Sequence, residues 1–222
     1  MKKLILAAFG VTCAISVFAQ GGIVFYNHFP GTLITHVYAP LASNIYFSQL
    51  GNGTADFPVG TTVWTGFTPI GSPGIAGQYG GSSTLAQLLT APGFNQPESN
   101  LVPQTPIDTF RTGNAVGFVA LSTVTASNVG LDAPGTVEMV VWDNSSGQYP
   151  TWKEAFAAWT EGSIAAGESG RWNATFGGIA YVPPFLDGLK SFNLYYLIPE
   201  PSCLALAALG LAALVVFRRR KS

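Results

Sequence analysis

The side chains able to do chemistry in this sequence are few and widely spaced. Its two histidines, His28 and His36, flank Pro30-Gly31. A zinc-type site needs a third ligand close by, and no carboxylate lies nearer in sequence than Asp56. The pair is therefore read as surface-loop residues, with no metal and no cofactor. Glu138, Asp143, Glu154 and Glu161 supply carboxylates enough for acid–base work on a glycoside, but their spacing singles out no pair. Asp143-Asn144-Ser145 offers oxygens to calcium, yet too few carboxylates for a site of its own. No Gly-x-Ser-x-Gly elbow presents a serine nucleophile. No catalytic residue is assigned, and the chain is read as a non-enzyme.

Five tryptophans remain: Trp64, Trp142, Trp152, Trp159 and Trp172. Flat rings stack on sugar faces, so each is weighed as a carbohydrate platform. Trp142 should point opposite Met139 and Val141, and if its face meets solvent it is the best sugar contact in the chain. The alternatives to a plain surface protein are thus a carbohydrate-binding module and a secreted glycoside hydrolase. The hydrolase would need two carboxylates roughly 5–10 Å apart in a cleft.

The elements that must position these groups are mostly strands. Gly22–Asn27, Asn44–Leu50, Thr61–Phe67, Ala115–Thr125, Thr136–Asp143, Arg171–Phe176 and Phe192–Leu197 are β-branched or aromatic, or alternate with period two, and turn residues bound them. One stretch differs. In Thr151–Glu161 the residues Trp152, Ala155, Phe156 and Trp159 recur at helical spacing. Thr151 and Glu154 form a capping box, and Gly162 can end the helix. Pro69–Pro106, rich in Gly, Pro, Ser and Gln, reads as long loops around a short helical or strand segment at Thr84–Thr90. The expectation is an all-β chain, a β-sandwich or jelly roll, with one short helix across its end.

Between residues 20 and 198 only Arg111, Lys153, Arg171 and Lys190 oppose ten acidic residues. Such a surface repels phosphate backbones, which argues against nucleic-acid binding. The two cysteines, Cys13 and Cys203, both lie in apolar end segments, so no disulfide framework braces the middle.

The ends carry the clearest signals. Met1-Lys2-Lys3, an apolar run to Phe18 and small residues before Gln20 make a signal peptide over residues 1–19, cut between Ala19 and Gln20. Near the C-terminus, Ser202 to Phe217 is an uncharged run of 16 residues, about 24 Å of helix at ~1.5 Å per residue. This is slightly short of a ~30 Å bilayer core, a deficit that thinning and snorkelling accommodate. Arg218, Arg219, Arg220 and Lys221 follow it as a basic stop, placing the tail inside and the ectodomain outside. Pro199-Glu200-Pro201 precedes the helix. Prolines resist helix and donate no backbone hydrogen bond, so an extended, exposed strip suited to a protease cleft is expected.

The order Pro199-Glu200-Pro201, apolar helix, Arg218–Lys221, with a signal peptide in front, resembles the PEP-CTERM sorting signal. Ile198 stands where Val is usual in that family. The resemblance implies an exosortase-type processing enzyme as partner and a transient stay in the inner membrane of a Gram-negative bacterium. Delivery to the cell surface or extracellular matrix follows, with extracellular polysaccharide as a possible associate. Gly22–Asn27, Phe110-Arg111-Thr112-Gly113 and the strand at 140–143 also resemble a recurrent ectodomain of such proteins, one to which no activity attaches. The organisation expected is signal peptide 1–19, β-sandwich ectodomain 20–198 and sorting signal 199–222.

Overall fold

The strand Pro134–Asp143 is apolar at both parities, and a strand of that kind must be covered on both faces. The computed structural model, which describes residues 20–178 and 183–199, has this strand as the spine of the molecule. In chain order the strands are β1 (Gln20–Phe25), β2 (His28–Phe29), β3 (Leu33–Ile34), β4 (Val37–Tyr38), β5 (Thr84–Pro92), β6 (Val102–Pro103), β7 (Asp108–Thr109), β8 (Ser122–Gly130), β9 (Pro134–Asp143), β10 (Ala166–Thr175) and β11 (Phe192–Asn193). One helix, α1 (Trp152–Thr160), lies between β9 and β10. The described residues are mostly β with one helix.

The main sheet runs β10-β9-β5-β6, and β7 pairs with the other end of β5. All its pairings are antiparallel. On one face Ala86, Leu88, Val137, Met139 and Val141 join Ile23 and Phe25 of β1 and Val124, Ala126 and Val129 of β8. The antiparallel β1–β8 ribbon therefore covers this face. On the other face Leu89, Ala91, Val140, Trp142 and Ala166 meet Trp152, Ala155, Ala158 and Trp159 of α1. The helix thus covers a face of the sheet, where the sequence suggested an end.

Residues with odd numbers face the ribbon in β9, and those with even numbers do so in the second half of β10. The switch occurs at a bulge between Glu168 and Arg171, where the extra residue turns each later side chain over. Gly170 takes φ +69° there, and the Ser169 hydroxyl accepts from the Met139 N–H at 2.9 Å. The bulge is what lets Trp172, Ala174 and Phe176 join the ribbon-side core.

The capping box forms as read: Thr151 Oγ1 accepts from the Glu154 N–H, and the Glu154 carboxylate accepts from the Thr151 N–H at 3.1 Å. Gly162, at φ +71°, ends the helix. Phe156 is exposed at 39% and Ala158 is buried in its place, so the apolar stripe runs one position aside from the expected one.

Two expected strands do not exist. Asn44–Leu50 and Thr61–Phe67 are irregular backbone. Their polar groups are met by side chains and turns: Gln49 N–H donates to Asn193 Oδ1, Asn193 Nδ2 to the Phe47 carbonyl, and Gln49 Nε2 to the Val63 carbonyl. Conversely, Thr84–Pro92 is the central strand of the sheet, not a short piece among loops. It is buried on both faces and so lacks the alternation that marks a half-buried strand. Ala115–Thr125 becomes strand only from Ser122. Among the described residues no helix is long and apolar enough to cross a membrane. The expected signal peptide 1–19 and the span 202–217 lie outside those residues.

Candidate functional site

The domain delivers its C-terminal strip through α1. Chain 192–197 alternates as expected, Phe192, Leu194 and Tyr196 joining one core and Tyr195 and Leu197 the other. Trp159 Nε1 of the helix donates to the Tyr195 carbonyl at 2.9 Å. Leu197 and Pro199 then pass against Gly162, where an added Cβ would lie 2.8 Å from the Leu197 carbonyl and 3.1 Å from Pro199 Cδ. Ile198, 69% exposed, and Pro199 emerge into solvent. At the other end Gln20 is exposed and opens β1. Ala19, Glu200, Pro201, Arg218, Arg219, Arg220 and Lys221 lie outside the described residues.

Trp142 is not a sugar platform. It does point away from Met139 and Val141, but that side of β9 lies beneath α1. The indole is fully buried, sits 5.7 Å from the Trp152 ring, and donates Nε1–H to the Tyr149 carbonyl at 2.7 Å. The sequence pattern gave its direction correctly; the helix laid across that face removed its access to solvent.

The weighed carboxylates are dispersed. Glu138 faces the α1 side of β9, whereas Asp143, of opposite parity, faces the other. Asp143 accepts from Gln78 Nε2 at 3.0 Å and from the Ser145 N–H at 2.9 Å. Glu154 caps the helix and Glu161 is its exposed C-cap. Glu168, which is not among the weighed carboxylates, lies on β10 beside Glu138. Burial pushes the Glu138 carboxyl up to about 8, with Glu168 and Glu98 adding to the rise and Arg171 opposing it. Burial and Glu98 push Glu168 up to about 7, again against Arg171. Glu138 Oε2 is buried without a hydrogen-bond partner.

The histidines are packed, not displayed on loops. Both lean on Phe118, with ring centroids at 4.2 Å for His28 and 4.6 Å for His36. Burial foremost, then His36 and Arg111, lowers the His28 pKa. Among the described residues no group of three His, Cys, Asp or Glu is placed to hold a metal ion. His36 Nδ1 instead lies 2.6 Å from Asp56 Oδ1. Asp56 Oδ2 accepts from the Ser191 hydroxyl at 2.8 Å and from the Gly53 N–H at 2.6 Å. Serine and histidine each bind the aspartate, so this is not the serine–histidine–aspartate relay of a nucleophilic enzyme. It is a clamp on the segment that contains Asp56.

That segment, 39–69, is the feature that sequence reasoning misread. Loops beyond roughly 12–15 residues without structure of their own are uncommon in compact domains and are usually functional or disordered. This one is ordered by side-chain bonds. Besides the Asp56 clamp, Asn52 Nδ2 donates to the Pro58 carbonyl at 2.8 Å and Trp64 Nε1 to the Gly51 carbonyl at 3.1 Å. Gly60 is required there: a Cβ would lie 2.0 Å from the Asn52 carbonyl oxygen. The Trp64 ring stacks on Tyr38 at 4.3 Å and 15°, with Phe67 edge-on at 5.0 Å. Tyr38 and Trp64, with Thr54, Thr61, Thr62 and Thr65, line a cavity of about 170 Å³.

A second, more open depression of about 330 Å³ lies at the β9–β10 edge. Asn173 and Asn95 bond each other there, Asn173 Nδ2 donating to Asn95 Oδ1 at 2.9 Å. Arg171 donates to the Gln96 carbonyl at 3.2 Å.

Neither curated proteins nor solved structures offer a match to the chain. A family model does match at the point where the domain releases its exposed strip, and it runs through the Pro-Glu-Pro triplet, the apolar run and the basic cluster. The chain carries, over residues 197–221, the PEP-CTERM protein-sorting motif.

Proposed function

We propose that the chain is a non-enzymatic protein of the cell surface or extracellular matrix. In this reading a sandwich-like ectodomain is exported on its signal peptide, held briefly by the apolar run 202–217, and released or transferred by processing at its sorting strip. The motif at 197–221 is the recognition signal of exosortase-type processing and marks a protein exported through a membrane-anchored intermediate. That motif, at the exposed exit of a folded domain, is the observation that carries the reading.

The geometry at the exit supports it. Processing needs an accessible, non-helical strip, and Ile198-Pro199 leaves the domain exposed and without helical structure beside Gly162. The dispersal of Glu138, Asp143, Glu154 and Glu161 favours a surface role over glycoside hydrolysis. Mass analysis of the surface form in cells with and without the processing enzyme tests the proposal. The expected result is a mature chain beginning at Gln20 and lacking Arg218–Lys221 only when the enzyme is present. Identical C-termini in both strains would count decisively against it.

A further inference from the structure

We propose that the cavity between Tyr38, Trp64 and the threonines of the 39–69 segment is a binding site for one ring of an uncharged, hydroxyl-rich polymer, a neutral saccharide. The argument starts from charge. Residues 39–69 contain one side chain that is charged at neutral pH, Asp56. Both its oxygens are occupied, Oδ1 by His36 and Oδ2 by Ser191 and Gly53. The segment therefore has no cation for an anionic ligand and no free carboxylate for a cationic one.

What it offers is complementary to a sugar. Thr54, Thr61, Thr62 and Thr65 bring hydroxyls that donate and accept, and among the described residues none of these hydroxyls has a hydrogen-bond partner. The Tyr38–Trp64 pair supplies an apolar wall for the C–H surface of a pyranose. At about 170 Å³ the cavity is smaller than the roughly 300–1,000 Å³ of drug-sized sites, a size for one unit of a chain that continues into solvent. The walls are held before any ligand arrives, by the Asp56 clamp and the Trp64–Gly51 bond, which lowers the ordering cost of binding. A strand-adding peptide is disfavoured, because the segment has no strand to extend.

The inference concerns the exported domain, yet its test is independent of sorting, since purified chain either binds or does not. Full-length protein in mild detergent is titrated calorimetrically with maltohexaose, cellohexaose, laminarihexaose and mannohexaose, and with oligoalginate as the charged comparison. Binding of at least one neutral oligosaccharide, weakened ten-fold or more in both Thr61→Val/Thr62→Val and Trp64→Phe, is the expected result. Thr125→Val, exposed on β8, should bind as wild type does. Circular dichroism melts establish that the variants fold; if Trp64→Phe does not, the threonine variant decides. Binding to none of the neutral probes, preference for oligoalginate, affinity untouched in the variants, or a dimer by light scattering that Trp64→Phe dissolves would each overturn the proposal.

Discussion

Glu138 makes the stability of this domain depend on pH in a direction opposite to that of most carboxylates. Its pKa rises from 4.5 to about 8 in the folded chain, because burial and the charges of Glu168 and Glu98 outweigh Arg171. A folded-state value above the unfolded one means that the native state holds the proton more tightly. The contribution is therefore fully present below about pH 4.5 and is lost as pH climbs through 8. At about 1.4 kcal/mol per pKa unit the ceiling is ~5 kcal/mol. Coupling to Glu168 and relaxation around the charge reduce it to roughly 2–3 kcal/mol. Glu138→Gln removes the titration and keeps the shape. Urea unfolding of the full chain in detergent, followed by tryptophan fluorescence at pH 5, 7 and 8.5, reads the difference. At pH 5 variant and wild type should agree within about 1 kcal/mol; at pH 8.5 the variant should be more stable by roughly 2–3 kcal/mol. Parallel loss of stability in both proteins would refute the assignment to Glu138.

Other perturbations have definite expected outcomes. Trp142→Ala empties the space between β9 and α1 and should cost about 3–5 kcal/mol, read as a lower urea midpoint; a change below 1 kcal/mol would contradict the burial described. Thr151→Ala removes one half of the capping box and should cost about 1 kcal/mol, whereas Thr151→Ser should be nearly neutral. Asp56→Ala releases His36, Ser191 and Gly53 together, so limited proteolysis should cut within 39–69 first while the β5–β9–β10 sheet stays protected; unchanged cleavage would mean that the clamp does not order the segment. Glu200→Ala should leave the protein unprocessed in the membrane fraction, measured by the mass of the C-terminal fragment; normal maturation would show that the triplet is not what the enzyme reads.

Whatever is local in this protein is legible from the chain alone. The sorting motif is a linear string, and Pro199-Glu200-Pro201 with its apolar run and basic cluster is legible without a fold. So are the capping box at Thr151 and Glu154, the alternation of 192–197 and the opposed directions of Trp142 and Met139, since helix and strand periodicity act over a few residues. Whatever depends on a partner distant in the chain is set by the fold. Whether Trp142 sees water depended on where α1 was laid. The centrality of β5 was hidden because a strand covered on both faces shows no alternation. Asp56 and His36 stand 20 residues apart, and Ser191 a further 135 beyond Asp56. Only the fold brings the three together, and with them it turns the apparent strands of 39–69 into an ordered loop. The physical reason is common to all three: burial and side-chain hydrogen bonds between remote segments outweigh local β-propensity, which is worth at most about 1 kcal/mol per residue.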